Sequence, residues 1–218
     1  MNKIKLIFIV LLFPITVFSQ EEMRPSITKN RTGMFELGVR NTISTFGSTN
    51  NIGTGFGGQF RLRISKRINT EWFADFITED IDGLAKRNDY HIGWSVMFYP
   101  FATEGKFVPY ILAGHCFDYT KVSSSVRTNE NIIADEAQSR LSSATQLGIG
   151  THFNATDYFD ISFGVQYMVH LGNDIHTDVH EHNGTKELHI EKESHSNPVL
   201  EGHLLFTVSV NFKLGKIW

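Results

Sequence analysis

Residues 159–169 read FDISFGVQYMV, and an apolar side chain stands at every odd-numbered position of this stretch. The intervening residues Asp160, Ser162, Gly164 and Gln166 are polar or small. Successive side chains of a β-strand point to opposite faces, so this alternation predicts a strand with one apolar face. The run is as long as the roughly 9–11 residues that a tilted transmembrane strand needs, whereas soluble strands most often have about 5–6.

The same alternation recurs about eight times along the chain. The other runs are Phe35–Arg40, Phe56–Ile64, Glu71–Phe76, Tyr90–Phe98, Phe107–Tyr119, Arg140–Phe153 and Leu204–Lys213. The fifth run, Phe107–Tyr119, is apolar on both faces, which leaves its orientation open. After Ser19 no apolar stretch is long enough for a transmembrane helix, so a chain that spans a membrane must do so as a closed barrel. The pattern predicts an all-β fold, an eight-stranded antiparallel up-and-down transmembrane β-barrel.

The connections between these runs alternate in length. Short connections follow the second, fourth and sixth runs, at Lys66–Asn69, Ala102–Lys106 and Asn154–Asp157. Longer ones centre on Gly47–Ile52, Ile81–Arg87, Ser123–Gln138 and Asn173–Pro198. Outer-membrane barrels have short periplasmic turns and longer extracellular loops. An even number of strands then places both termini in the periplasm.

The N-terminus has the organisation of a cleavable signal peptide. Lys3 and Lys5 make the start of the chain positive, the segment from Ile4 to Phe18 is mainly apolar, and Val17 and Ser19 occupy the −3 and −1 positions of a cleavage site. We therefore expect a signal peptide at 1–19, a short periplasmic segment at 20–33 and the barrel at 34–218. The net charge of −3 argues against nucleic acid as a partner. The predicted location is the outer membrane of a Gram-negative bacterium.

The polar faces of the runs carry charges of both signs. If the apolar faces meet lipid, these side chains face the interior of the barrel, which in an eight-stranded barrel is just wide enough to be filled by side chains. Buried charges must be paired. We therefore expect a salt-bridged polar network rather than an open pore, formed by Glu36, Arg40, Arg61, Arg63, Glu71, Asp75, Arg140 and Asp160.

Two motifs and the signal peptide resemble those of small outer-membrane barrels. The segment Phe98-Tyr99-Pro100-Phe101, followed by Pro109-Tyr110-Ile111-Leu112-Ala113-Gly114, is similar to a "YPF … PYxxAG" pattern. The strand Leu204–Phe212 resembles the C-terminal signal that the barrel-assembly machinery reads. The chain thus resembles the eight-stranded family typified by the transmembrane domain of outer-membrane protein A. The resemblance implies an outer-membrane location, lipid contact and assembly by that machinery. It implies no single activity, because the family includes adhesins, anchors, narrow channels and enzymes.

The last long connection contains a histidine-rich hairpin. Asn183-Gly184 is a preferred centre of a two-residue hairpin turn. Folding about it pairs His182 with Thr185, His180 with Glu187, Asp178 with His189 and His176 with Glu191, all on one face, while Ile175, Val179, Leu188 and Ile190 share the other. We expect the hairpin to extend the seventh and eighth strands beyond the membrane. Its polar face has ligand types that Zn²⁺ and other divalent metals favour, and the predicted ligands are His176, Asp178, His180, His182, Glu187 and His189.

Several alternatives stay open. The histidines of the hairpin could be solvated and free, or they could act as a pH sensor. The barrel could be a narrow channel or small-molecule transporter instead of an interaction protein with an unidentified extracellular partner. It could also be a secreted lipocalin-like barrel with its apolar faces turned inward. We expect no required cofactor. We also expect no enzyme: His195-Ser196-Asn197 is only faintly similar to the His and Ser of outer-membrane lipid A deacylases, because His195 and Ser196 are adjacent and would point to opposite faces of a strand.

Overall fold

A computed structural model of the protein describes most of the chain after the N-terminal segment. The described residues are 31–45, 52–126, 132–172, 175–182, 184–192 and 199–218. The predicted signal peptide at 1–19, most of the segment 20–33, Asn183 and the pair His195 and Ser196 lie outside these residues. No helix in the described part of the chain is long and apolar enough to cross a membrane.

The described residues form eleven β-strands. They are β1 (Met34–Thr45), β2 (Ile52–Arg63), β3 (Ile68–Ile81), β4 (Ala85–Phe98), β5 (Phe107–Ser124), β6 (Ile132–Ala134), β7 (Gln138–Phe153), β8 (Phe159–Gly172), β9 (Ile175–His182), β10 (Thr185–Lys192) and β11 (Val199–Lys216). Eight of them, β1–β5, β7, β8 and β11, form a closed barrel in which each strand is antiparallel to both neighbours. The barrel closes between β1 and β11, where Leu37 lies opposite Phe212. The predicted fold class is confirmed.

The barrel is apolar outside and polar inside. On β7, Leu147 and Ile149 face outward with 63% and 64% of their surface exposed. On β3, Glu71 and Asp75 face inward and are buried. A soluble lipocalin-like barrel needs the opposite arrangement, because its apolar side chains must leave water. The burial pattern thus excludes the lipocalin-like alternative and places the apolar exterior in a bilayer.

Aromatic rings form cross-strand rows on the exterior. Trp72 on β3 stacks on Phe60 of β2 and contacts Trp94 of β4, with ring centroids 6.0 and 6.4 Å apart. Nearer the other end of the barrel, Tyr90 lies 5.0 Å from Phe76 and 6.0 Å from Tyr119. Such bands are typical of membrane barrels, in which aromatic girdles flank the apolar belt.

The side chains of β5 that are buried in the lumen show the orientation of this strand, which the sequence left open. Val108, Tyr110, Leu112 and Cys116 face inward and are buried, whereas Ile111 and Phe117 face outward. The inward set packs in two apolar layers. Met97, Tyr99, Val108, Tyr110 and Leu112 form one, and Phe73, Ile77, Cys116, Ala144, Met168 and Leu205 form the other. Strand β5 is apolar on both faces because it contributes to both layers.

The two ends of the barrel differ, and we name them for their connections. The turn end carries the connections 64–67, 99–106 and 154–158 together with both ends of the described barrel. The loop end carries the others. The prediction of a long loop at Ile81–Arg87 is wrong, because only Asp82–Leu84 join β3 to β4. Asp82 and Gly83 adopt positive φ, and the Asp80 carboxylate accepts a hydrogen bond from the Gly83 N–H at 2.6 Å, which closes a tight turn.

A small second sheet lies at the loop end. Strands β9 and β10 form an antiparallel hairpin, and β6, from the connection between β5 and β7, pairs in parallel with β10. The expectation that this hairpin extends β8 and β11 is wrong. It forms its own sheet because Ile175, Leu188 and Ile190 leave water by packing on Ile81, Ala85 and Val122 at the barrel mouth. We call the sheet β6–β10–β9 the cap.

Candidate functional site: the lumen and its cap

Six of the eight predicted lumen residues meet around two arginines. Arg61, only 1% exposed, reaches three carboxylates: its Nε lies 2.8 Å from Glu71, and its Nη1 lies 3.5 Å from Asp160 and 3.8 Å from Glu36. The same Nη1 donates a 3.0 Å hydrogen bond to Ser162. Guanidinium has five donors in a fixed fork, and this side chain directs them at several strands at once.

Arg40 continues the network toward the loop end. Its Nη1 lies 3.3 Å from Glu71 and its Nε 3.1 Å from Asp75, so Glu71 bridges the two arginines. The Arg40 guanidinium also lies 4.5 Å from the ring centroid of Phe73, within the range of a cation–π contact. We call the set Glu36, Arg40, Arg61, Glu71, Asp75 and Asp160 the arginine network.

The other two predicted members lie elsewhere in the lumen. Arg63 is near the turn end, where its guanidinium covers the ring of Tyr99 at 4.0 Å and donates to the Lys66 carbonyl. Arg140 is near the loop end, with its Nη2 3.7 Å from Asp118. All eight residues are buried inside the barrel, but they do not form one cluster.

Further polar side chains and one lysine complete the arginine network at its turn end. His152 hydrogen-bonds through Nδ1 with Ser162 at 2.6 Å and through Nε2 with the Tyr99 hydroxyl at 2.9 Å. Asn211 donates 3.0 Å to Asp160, and Lys213 lies 3.6 Å from the same carboxylate. The buried charges are therefore paired and hydrogen-bonded, as charges removed from water must be.

Three histidines gather around one aspartate near the loop end of the lumen. His91, His170 and His203 come from β4, β8 and β11, and Asp118 comes from β5. Asp118 lies 3.3 Å from His91 Nε2 and 3.1 Å from His170 Nδ1, and the Nε2 atoms of His170 and His203 are 3.4 Å apart. All four side chains are buried. We call this set the histidine cluster.

Sequence reasoning did not single out the histidine cluster, although each member occupies an inward position of its strand. His91 lies on the polar face of a recognised run. The inward orientation of Asp118 could not be predicted, because the fifth run is apolar on both faces. His170 and His203 stand one position outside the recognised runs 159–169 and 204–213. Extending the alternation by one step would have placed them inside the barrel.

The cap presents the predicted polar face to the outside. Its register pairs His180 with Glu187, Asp178 with His189 and His176 with Glu191, as the turn at Asn183-Gly184 predicts. His189 is flanked by Glu187 at 3.6 Å and by Asp135 at 3.4 Å, and its ring centroid lies 5.7 Å from that of His180. The side chain of His182 lies outside the described residues.

The metal ligands predicted on the cap do not converge in this arrangement. Within the described part of the chain, no group of three or more His, Cys, Asp or Glu side chains is positioned to hold a metal ion. Here His189 faces two carboxylates that lie on either side of it. Metal binding at this face stays a prediction.

The cap is seated on the barrel by its apolar face and by one buried hydrogen bond. Ile175, Leu188 and Ile190 are almost fully buried, whereas Val179, predicted on the same face, is 38% exposed. Arg87 Nη2, inside the barrel mouth, donates 2.9 Å to the Ile175 carbonyl. Asp135 accepts a 3.0 Å hydrogen bond from the Ile190 N–H, which ties the segment after β6 to the hairpin.

A closed eight-stranded barrel with an apolar exterior and a charged, buried interior defines an integral outer-membrane β-barrel protein. Solved structures with this fold are similar to the chain. Neisserial surface protein A has a TM-score of 0.54 at 13% identity, over 84% of this chain and 98% of that one. A major outer membrane protein from Thermus thermophilus has a TM-score of 0.56 at 12% identity, over 83% and 99%. No family model and no curated protein matches the chain. The resemblance to small outer-membrane barrels and the predicted outer-membrane location are confirmed at the level of the fold.

Proposed function

We propose that the protein is a surface-display barrel of the outer membrane, which holds the cap outside the membrane as a binding surface. The cap carries this proposal, because it is a folded sheet with its own buried contact to the barrel mouth. A loop that served only as a connection would have no reason to bury three large aliphatic side chains and pair with a second loop. Ordered loops on a rigid scaffold are where binding residues concentrate.

The charge of the cap favours a cationic partner. Residues 175–192 contain four acidic residues and two lysines, and Asp135 adds a fifth acidic side chain beside His189. Asp178 is exposed, and Glu187, which lies opposite His180, stands on the same face. Complementary charge steers association and fixes orientation more than it adds affinity. We therefore propose a partner with clustered lysine or arginine side chains.

A binding experiment tests this proposal directly. The full chain, folded into lipid nanodiscs, is titrated with an oligolysine peptide and separately with heparin as a polyanion. We expect salt-sensitive binding of oligolysine only, weakened in an Asp178→Asn/Glu187→Gln variant. Glu104→Gln is the matched control, since Glu104 is exposed on the turn end. Equal weakening in the control, or binding of heparin instead, contradicts the proposal.

A divalent metal on the same face is a second proposal. It is supported by the adjacent rings of His180 and His189 and by the carboxylates of Glu187 and Asp135 beside them. These are ligand types that zinc accepts. Calorimetric titration with Zn²⁺ tests it: one equivalent that the wild type binds and His180→Ala/His189→Ala lacks supports the cap site. The same number of bound equivalents in both proteins contradicts it.

A further inference from the structure

The histidine cluster contains two imidazole nitrogens at the spacing of metal ligands. His170 Nε2 and His203 Nε2 lie 3.4 Å apart. Zinc–nitrogen bonds of about 2.0–2.1 Å in a tetrahedral arrangement place two ligand nitrogens about 3.3–3.4 Å from each other. The two Nε2 atoms therefore already have the separation at which one tetrahedral ion would bridge them. The ion would replace the hydrogen bond that joins the two rings.

Asp118 orients His170 toward this point. Its carboxylate lies 3.1 Å from His170 Nδ1, which leaves Nε2 directed at His203. The hydroxyls of Thr120 and Ser142 lie 3.2 and 3.4 Å from the same carboxylate. A carboxylate bound to the second nitrogen of an imidazole is the usual support of a metal-binding histidine, because it fixes the ring and its tautomer.

His91 is placed to complete the set. Its ring centroid lies 6.0 Å from that of His203 and 6.2 Å from that of His170. Three imidazoles on one tetrahedral ion have centroids about 5 Å apart, by the same bond lengths. His91 Nε2 now faces Asp118 at 3.3 Å, and its Nδ1 is buried without a hydrogen-bond partner. The described residues contain no complete three-ligand set in this arrangement, so metal binding requires the His91 ring to turn from Asp118 toward the other two imidazoles.

We propose that His91, His170 and His203 bind a divalent transition metal, of the Zn²⁺ class, inside the barrel beneath the cap. Asp118 is the positioning residue, and its charge, with that of nearby Asp89, balances the ion. Thr120 links these two carboxylates, since its hydroxyl lies 2.6 Å from Asp89 and 3.2 Å from Asp118. The ion would cross-link β4, β8 and β11, because each ligand comes from a different strand. It would also be enclosed, because all three imidazoles are buried in the lumen.

Cobalt substitution tests the proposal. The full chain, folded in detergent without an affinity tag, is titrated with Co²⁺, whose visible absorption reports tetrahedral nitrogen ligation. We expect one tightly bound equivalent that Zn²⁺ displaces, and we expect EDTA to remove it slowly. The equivalent should persist in His180→Ala/His189→Ala, which alters only the cap. It should be lost in His170→Gln/His203→Gln, with the folded state checked by heat-modifiable migration. Asp118→Asn should weaken it by about 10–100-fold.

Three results would overturn the proposal. One is the absence of cobalt binding in the folded wild type. Another is loss of the equivalent in the cap variant, which would place the metal outside the barrel. The third is immediate removal by EDTA in the wild type, which needs no variant to fold and contradicts an enclosed site. Failure of the oligolysine experiment on the cap affects none of these readouts, so the two proposals can fail separately.

Discussion

Several buried charges in the lumen depend on Arg61. Its guanidinium contacts Glu36, Glu71 and Asp160, so its loss leaves three carboxylates without their shared partner. Removal of one member of a buried ion pair typically costs about 3–5 kcal/mol, because the remaining charge is uncompensated. Because Arg61 is buried, the effect of its substitution on stability can be compared with that of an exposed arginine.

We therefore predict that Arg61→Met lowers the free energy of unfolding by about 3–5 kcal/mol, despite its similar volume. Urea unfolding of the chain folded into lipid vesicles measures it. Arg67→Ala is the matched control, since Arg67 is exposed in a turn and should change stability by less than about 0.5 kcal/mol. Equal effects of the two substitutions would show that the arginine network does not hold the barrel together.

The sequence predicts which residues face the lumen, but it does not predict which of them contact each other. Alternation assigns Glu71, Arg61 and Arg140 to the inside, because one strand is enough to decide a face. It cannot show that Arg61 binds Glu71 while Arg140 binds Asp118, because these contacts depend on which strands are neighbours and on their register. The histidine cluster draws on four strands, and no local pattern connects them.

Two substitutions in strand β7 test the position of the barrel in the membrane. Leu147 lies midway along the apolar side of the strand and faces outward, whereas Ser139 faces outward beyond the apolar band at the loop end. We predict that Leu147→Arg costs about 2–4 kcal/mol and Ser139→Arg at most about 1 kcal/mol, because the penalty for a charge depends on its depth in the bilayer. Unfolding in lipid vesicles measures both. A larger cost at Ser139 contradicts the proposed membrane position.

The cap allows a second test on an element. Leu188 is buried against the barrel mouth, while Val179, which lies opposite it on β9, is 38% exposed. We predict that Leu188→Asp releases the cap, because a carboxylate cannot remain unpaired in that contact. Hydrogen exchange should then increase in β9 and β10 with the barrel strands still protected. Val179→Asp, the control, should leave exchange near that of the wild type, and equal release by both would contradict the seating described above.

The cap also shows which features of the structure the sequence patterns could not predict. The turn at Asn183-Gly184 and the alternation predicted the register of β9 and β10. Neither could predict that the apolar face would fold onto the barrel mouth, or that β6 would add a parallel strand, since both depend on contacts between distant loops. The connection between β3 and β4 was predicted to be too long for a different reason. Most residues from Glu79 to Asp89 are polar, and polar residues also suit strands that extend beyond the bilayer.

At the scale of the whole molecule, the described side chains of the lumen pack against one another along the barrel. Apolar layers lie on both sides of the arginine network, the histidine cluster lies near the loop end, and the cap packs on β3, β4 and β5 at the mouth. A channel needs a continuous polar path, whereas this interior joins its charged groups to each other. The narrow-channel alternative and the display proposal therefore differ in one measurable property.

That property is ion conductance across a planar lipid bilayer, measured with the folded full chain at high salt. We predict no stable conductance steps from the wild type, because the paired side chains of the lumen leave ions no path that would not break buried salt bridges. Leu188→Asp, which releases only the cap, should also remain closed. Reproducible ohmic steps from the wild type would contradict the closed lumen and would favour a channel.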